Sequence, residues 1–487
     1  MLPRGFLTLL LACCLLSACA GTSTPIPVTR PATFTPARPA ITTFPHSSQT
    51  PGAERRGHTP TPTTSDQTQT STQTQTLTPP SASLRTGLGP TALGRIENFV
   101  EVGHEPLGGR GWNAGLALAY PCAYIGNRRA PQIAIVDVSD SAHPVLVGAL
   151  TPSPSAQPVE LRAIPDLGLL VVLNFSPDPT VLTYDVSDCR NPRPLGALGL
   201  GAVPHEFFLW RDPTQPARLL LYAAMFYHIQ PDLQVVDLSD PAQPRQVTTW
   251  TAADEGASGT LHSLSLSRDG QRAYLALWEG GFLVADTSDL ARNLPDPHVR
   301  LVRDASGFAP APGVNVHSAV RLSDPRYVLL TQEVYDCPFA GLLIADIVNE
   351  SHPHSVGRFD LPENDPACDS LPQADAVFTS HNPLVVASLT GDLVFVTWYG
   401  GGLQALDVSD PTLPRRVGLF VPKGEGAAHE SYIGTYPAQM WSYPILREGL
   451  IYVSDIQSGL YVLRYTGPGA EAVSQAPLAE GNVTVPP

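Results

Sequence analysis

The chain has 487 residues, with 29 lysines and arginines against 44 aspartates and glutamates, for a formal charge of -15. An acidic protein repels phosphate backbones and anionic headgroups, which makes nucleic acid and anionic lipid poor partners. Lys423 is the sole lysine, so a phosphate loop, a Schiff-base lysine or a Ser-Lys dyad would all depend on that one residue.

Arg4 precedes an apolar run from Phe6 to Leu16 and then the tetrapeptide Leu16-Ser17-Ala18-Cys19. A charged residue, a short apolar stretch and small residues describe an export signal over 1–19, and the stretch is too short to span a bilayer as a mature helix. The tetrapeptide resembles a bacterial lipobox. That resemblance implies acylation of Cys19 and anchoring of the protein to the outer face of the cell membrane, the membrane being its partner through the lipid. Residues 20–92 are rich in Thr, Pro, Ser and Gln, a composition that predicts a disordered, proline-stiffened tether. A folded domain is expected over 93–466 and a disordered tail over 467–487.

Within the domain one unit recurs. It reads IAIVDVSD from Ile133, VLTYDVSD from Val181, LQVVDLSD from Leu233, FLVADTSD from Phe282, LLIADIVN from Leu342 and LQALDVSD from Leu403, with a degenerate LYVLRYTG from Leu460. A unit repeated at roughly 50 residues, lengthened by loop insertions, is the signature of a propeller blade. Each repeat divides into four strands, A to D. In the fourth, A is LHSLSLS from Leu261, the turn is Arg268-Asp269-Gly270, B is RAYLALW, C is GFLVADTSD, and D follows near Arg300. Strand C is a continuous apolar run, as expected of a strand buried on both faces. The Asp-x-Ser-Asp after it suits a tight turn, so Asp137, Asp185, Asp237, Asp286, Asp346 and Asp407 are expected to brace turns rather than to catalyse.

Strand A begins near Trp112, Val159, Pro204, Leu261, Val316, Ser380 and Met440, which makes seven blades. The seventh lacks a D strand, and residues 95–102 (RIENFVEV) are expected to supply it, closing the ring and removing its exposed edges. The predicted fold is therefore an all-β, seven-bladed propeller of four-stranded antiparallel blades. The repeated unit resembles the LVIVD repeat of β-propellers in secreted and surface proteins of bacteria and archaea, and the resemblance implies the fold. A weaker similarity is to the selenium-binding and methanethiol oxidase propellers, from which no copper-site motif carries over.

In such a ring strand A lines the channel. His205, His262, His317 and His381 lie near the starts of four consecutive A strands, with Glu160 at the corresponding place in blade two. Equivalent side chains of adjacent blades point the same way, and neutral imidazole is the commonest ligand of zinc, copper, nickel and iron. These five residues are the candidate metal ligands, against the alternative that they cap strand A structurally. The B-to-C hairpins on the same face carry Tyr227 and His228; Trp278 and Glu279; Glu333, Tyr335 and Asp336; and Trp398 and Tyr399. Rings beside carboxylates suit a sugar, peptide or cationic ligand, and packing between blades is the alternative. Cys337 and Cys368 map to the same face of blades five and six, and Cys122 and Cys189 to the opposite face of blades one and two. The expected disulfides are therefore Cys337–Cys368 and Cys122–Cys189. The first functional expectation is a binding module for a surface protein, peptide or glycan. The second is a metal-dependent oxidoreductase or hydrolase, and the third a structural envelope protein.

Overall fold

The computed structural model describes residues 93–225, 231–364, 368, 377–388, 391–424, 434–481 and 483. Seven antiparallel sheets follow one another along the chain. The A strands are Asn113–Ala119, Pro158–Ile164, Glu206–Arg211, Leu261–Leu266, Val316–Arg321, Pro383–Ser388 and Ile445–Arg447. A strands of neighbouring blades touch, and the last blade meets the first where Asn113 N–H donates to Ile456 O at 3.1 Å and Ser454 Oγ to Ala114 O at 2.8 Å. The predicted seven-bladed propeller is the observed fold.

Burial grades outward as the sequence pattern dictates. In blade one, strand C (Ile133–Asp137) is buried at every residue, whereas strand D (Val145–Leu150) is mostly exposed. Burying each apolar side chain of strand C is worth about 1.5–3 kcal/mol, so the recurring apolar run is the main adhesive between blades. The repeat aspartates brace the turn that follows. The side-chain Oδ1 accepts the amide two residues on at 2.8 Å in Asp137, Asp237, Asp286 and Asp346, and at 2.9 Å in Asp185 and Asp407. Strand D then enters with a one-residue register shift against strand C in blades one, two, three, five and six, a bulge that bends the edge strand.

Ring closure is shared between two blades. Phe99–Glu105 pairs with Gly459–Tyr465 and completes blade seven, while Ile96–Glu97 pairs with Leu419 and Phe420 on the outside of blade six. The expected single strand is split at Asn98, whose φ of 56° turns the chain from one blade to the next; asparagine tolerates that conformation better than most residues. Gly459 opens strand C of blade seven at φ 100°, where a Cβ would stand 2.2 Å from Glu105 O, so the end of the closing strand requires glycine there.

Residues 467–481, expected from composition to be a disordered tail, are instead built onto the ring. They carry a short helix, Ala470–Gln475, anchored by buried Val473, and a strand, Ala479–Glu480, that pairs with Ile445 and Leu446. The three-residue A strand of blade seven leaves an inner edge free, and this segment covers it. Both expected disulfides, Cys122–Cys189 and Cys337–Cys368, are present, a pattern of oxidising, extracytoplasmic compartments. Among the described residues no helix is long and apolar enough to cross a membrane.

Candidate metal centre at the channel mouth

The four histidines form one continuous group. Ring centroids are 4.2 Å apart for His205 and His262, 4.2 Å for His262 and His317, and 3.9 Å for His317 and His381. The local cause is a bulge. Pairing of strands A and B skips from Leu261 to Ser263 in blade four and from Val316 to Ser318 in blade five. The skipped residues are His262 and His317, and an unpaired bulge residue is free to aim its side chain out of the pleat.

Three of these rings, His262, His317 and His381, converge on Glu333, which directly follows strand B of blade five, Tyr327–Gln332. Glu333 Oε2 lies 3.9 Å from Nε2 of both His262 and His317, and Oε1 lies 3.6 Å from Nε2 of His381. The Tyr399 hydroxyl donates to Glu333 Oε1. The opposite ring nitrogens are held from behind. Nδ1 of His262 contacts His317 O at 3.2 Å, Nδ1 of His381 contacts Trp441 O at 2.6 Å, and Nδ1 of His317 contacts Ser318 Oγ at 2.8 Å. A carbonyl only accepts, so Nδ1 of His262 and of His381 carries the proton and Nε2 presents a lone pair to Glu333. Fixing a ring through Nδ1 so that Nε2 is aimed and basic is how proteins support metal-ligating histidines.

Electrostatics agree with this reading. Burial holds all four imidazoles below their ordinary range, His262 at about 3 and the others well below it, so they are neutral at pH 7. Burial also pushes Glu333 up to about 7, partly offset by hydrogen bonds from Tyr399 and Tyr335 and by the charge of Arg128. Lone pairs and a carboxylate that face one another are complementary to a cation. Donor atoms of His262, His317 and Glu333 all lie within 4.8 Å of one another. Two ligands on one tetrahedral zinc, each at about 2.0–2.2 Å, lie roughly 3.4 Å apart, so the set must draw together by about an ångström to hold such an ion.

A cavity of ≈ 650 Å³ opens beside this group, and Arg128, Arg129, Trp112 and Tyr335 share its lining with His205, His262, His381 and Glu333. Trp278 also lines it and stacks on His262 at 4.7 Å. Glu279 accepts Thr260 N–H at 3.1 Å, which fixes its hairpin. Trp398 is fully buried, donates Nε1–H to Phe378 O and packs on Phe359. Tyr399 is buried too, and acts on the site through Glu333. Tyr227 and His228 lie outside the described residues.

Glu160 belongs to a second buried group. Arg162 donates to Glu160 Oε2 at 3.0 Å and Glu206 Oε2 at 3.1 Å, and its Nε lies 3.5 Å from Glu480 Oε1. The strand-A position therefore misleads at Glu160, because its neighbour but one, Arg162, claims the carboxylate. Glu333 supplies the carboxylate at the histidines instead. Its sequence signal is its place directly after strand B, in a hairpin between two histidine-bearing A strands, a position that Glu279 of blade four approaches one residue further on.

A family model described as LVIVD repeat matches residues 122–151, 339–361 and 387–420, within blades one, five and six. No curated protein matches the chain. Among solved structures, the crystal structure of the Saccharomyces cerevisiae Sqt1 is similar over 76% of this chain and 100% of that chain, at 10% identity and a TM-score of 0.47.

Proposed function

We propose that this LVIVD-repeat propeller is a metal-centred binding protein of the extracytoplasmic space. It holds a transition-metal ion on His262, His317, His381 and Glu333 and receives a ligand in the cavity beside it. The carrying observation is the convergence of imidazole Nε2 atoms on one buried carboxylate while carbonyl oxygens hold Nδ1. Imidazole with carboxylate suits zinc, copper, nickel or iron. The export signal, the Cys19 lipobox and the two disulfides support tethering at the outer face of the membrane. A metalloenzyme, hydrolytic or redox, is the second reading. It is favoured by the cavity that His262, His381 and Glu333 line, since catalytic zinc sites keep an open position.

The test is elemental mass spectrometry on untagged protein from the periplasm, beside a His262→Ala/His317→Ala variant. About one metal ion per chain, lost in the variant, supports a dedicated centre. No metal in either protein after incubation with zinc, copper, nickel and iron ends the metal reading.

A further inference from the structure

Blade one breaks the pattern of the mouth. Where the B-to-C hairpins of blades four, five and six bring rings and carboxylates, blade one brings Arg128 and Arg129. This hairpin is stiffly held. Arg128 N–H donates to Trp112 O at 3.0 Å. Asn127 Oδ1 accepts the amides of Arg129 and Ala130 at 2.8 and 2.7 Å, and Asn127 Nδ2 donates to Gly111 O at 2.9 Å. The guanidiniums lie over rings, Arg128 4.5 Å from the Trp441 ring and Arg129 3.8 Å from that of Trp112. Stacking presets the planar forks and lowers the entropy lost when they bind.

Both arginines line the same cavity as His205, His262, His381 and Glu333. Two guanidiniums thus share a cavity with the Glu333 carboxylate in a protein whose overall charge is -15. A concave, cationic spot on an acidic protein concentrates field lines and selects anions from solution. Guanidinium forks match carboxylate geometry better than that of a halide or other point ion. The cavity volume of ≈ 650 Å³ lies in the range that encloses a small organic molecule rather than a bare ion. Trp112, Trp278 and Tyr335 also line the cavity, with Gln157, and aromatic rings suit a planar apolar body.

We infer that the cavity takes a small planar organic carboxylate, its carboxylate on Arg128 and Arg129 and its flat body against the tryptophan and tyrosine rings. One further contact, a carboxylate oxygen on the metal, rests on the metal reading above; the arginine and ring contacts do not.

The experiment titrates benzoate and uncharged benzyl alcohol into the full-length protein, metal-loaded and chelator-stripped, by calorimetry, with metal content measured on the same samples. Benzoate is expected to bind at least about tenfold more tightly than benzyl alcohol. Arg128→Gln and Arg129→Gln are each expected to lose most of that preference at unchanged metal content. Arg129 is exposed, so its variant tests the idea without threatening the fold. Equal affinity for the two probes, no binding of either, or variants that bind benzoate like the parent would overturn the inference. A metal-bearing protein without charge preference refutes the anion site and leaves the metal centre standing. Arginine-dependent benzoate binding by a protein that takes up no metal does the reverse.

Discussion

Glu333 is the residue on which the mouth depends, and its chemistry differs with and without a cation. Without one, a buried carboxyl beside neutral imidazoles is held up at about 7 by desolvation, so ionising it works against folding. With one, the same carboxylate becomes a ligand and metal binding stabilises the native state by mass action, roughly 2.7 kcal/mol at a hundredfold excess over Kd. Zinc should therefore raise the melting temperature of the parent protein, and Glu333→Gln should abolish that rise while leaving the metal-free protein at least as stable. Glu160→Gln should keep both the rise and the metal content, because Arg162 already engages Glu160. Differential scanning calorimetry with and without zinc measures both, and a zinc response surviving in Glu333→Gln would remove Glu333 from the ligand set. The histidines were legible from sequence because duplication puts them at equivalent places. Glu333 was legible only as one of several hairpin carboxylates, because its approach to three rings depends on bulges at His262 and His317 that no local pattern announces.

At the scale of elements, the turn after strand C repeats one electrostatic device. Each aspartate accepts the amide two residues on, a serine's except at Asp346 of blade five, where it is that of Val348, and arginines add ion pairs, Arg193 to Asp185 at 2.6 Å and Arg415 to Asp407 at 3.2 Å. Hydrogen bonds from Ser187, joined by Arg193, hold Asp185 at about 2, and Asp137, Asp286 and Asp407 are lowered as well. A carboxyl whose folded pKa is depressed contributes stability above its ordinary value near 3.8, and that contribution is lost as pH falls toward the folded value. The turns should accordingly leave the melting temperature unaffected above about pH 4 and lower it between about pH 4 and 2. Asp185→Asn should lower it at pH 7 and make the acid decline shallower. Thermal melts from pH 7 to 2 check this, and an Asp185→Asn decline as steep as the parent's would show that the turns do not drive it. The repeat made these turns plain in the sequence, since Asp and Ser at fixed offsets have a known backbone partner. The split at Asn98 was not plain, because both halves of RIENFVEV read as strand and only the fold offers two edges to satisfy.

Across the whole molecule, closure and the channel interior are coupled through blade seven. Its outer strand comes from residues 99–105 and its inner edge is covered by Ala479–Glu480, so both ends of the domain finish the same sheet. Removing residues 1–105 strips the outer strand along with the contacts of Phe99 to Phe395 and Tyr465. At about 1 kcal/mol net per backbone hydrogen bond, the loss is on the order of several kcal/mol, and unfolding should become earlier and less cooperative than in the full chain. A truncated protein that melts as high and as sharply as the parent would show that closure is dispensable.

The inner edge carries a charge problem of its own, since Glu160, Glu206 and Glu480 share one buried guanidinium, Arg162. Composition hid this arrangement, because a lone glutamate in a Gly, Ala and Pro-rich stretch gives no sign of a buried partner. Burial raises all three carboxyls, Glu480 from 4.5 to about 8. A carboxyl with a raised folded pKa contributes stability in full below its unfolded value, and that contribution drains away as pH climbs to the folded one. Stability should thus decline from about pH 5 to pH 8, and Glu480→Gln, neutral throughout, should match the parent near pH 5 and exceed it at pH 9 by an amount on the order of a few kcal/mol. Glu160 and Glu206 leave a residual slope in the variant. Chemical denaturation at pH 5 and pH 9 decides the matter. If Glu480→Gln were the weaker protein at pH 9, the ion pair with Arg162 would outweigh the burial of a third carboxylate, and the terminal strand would be held in the ring by charge rather than by the unmet edge of Ile445–Arg447.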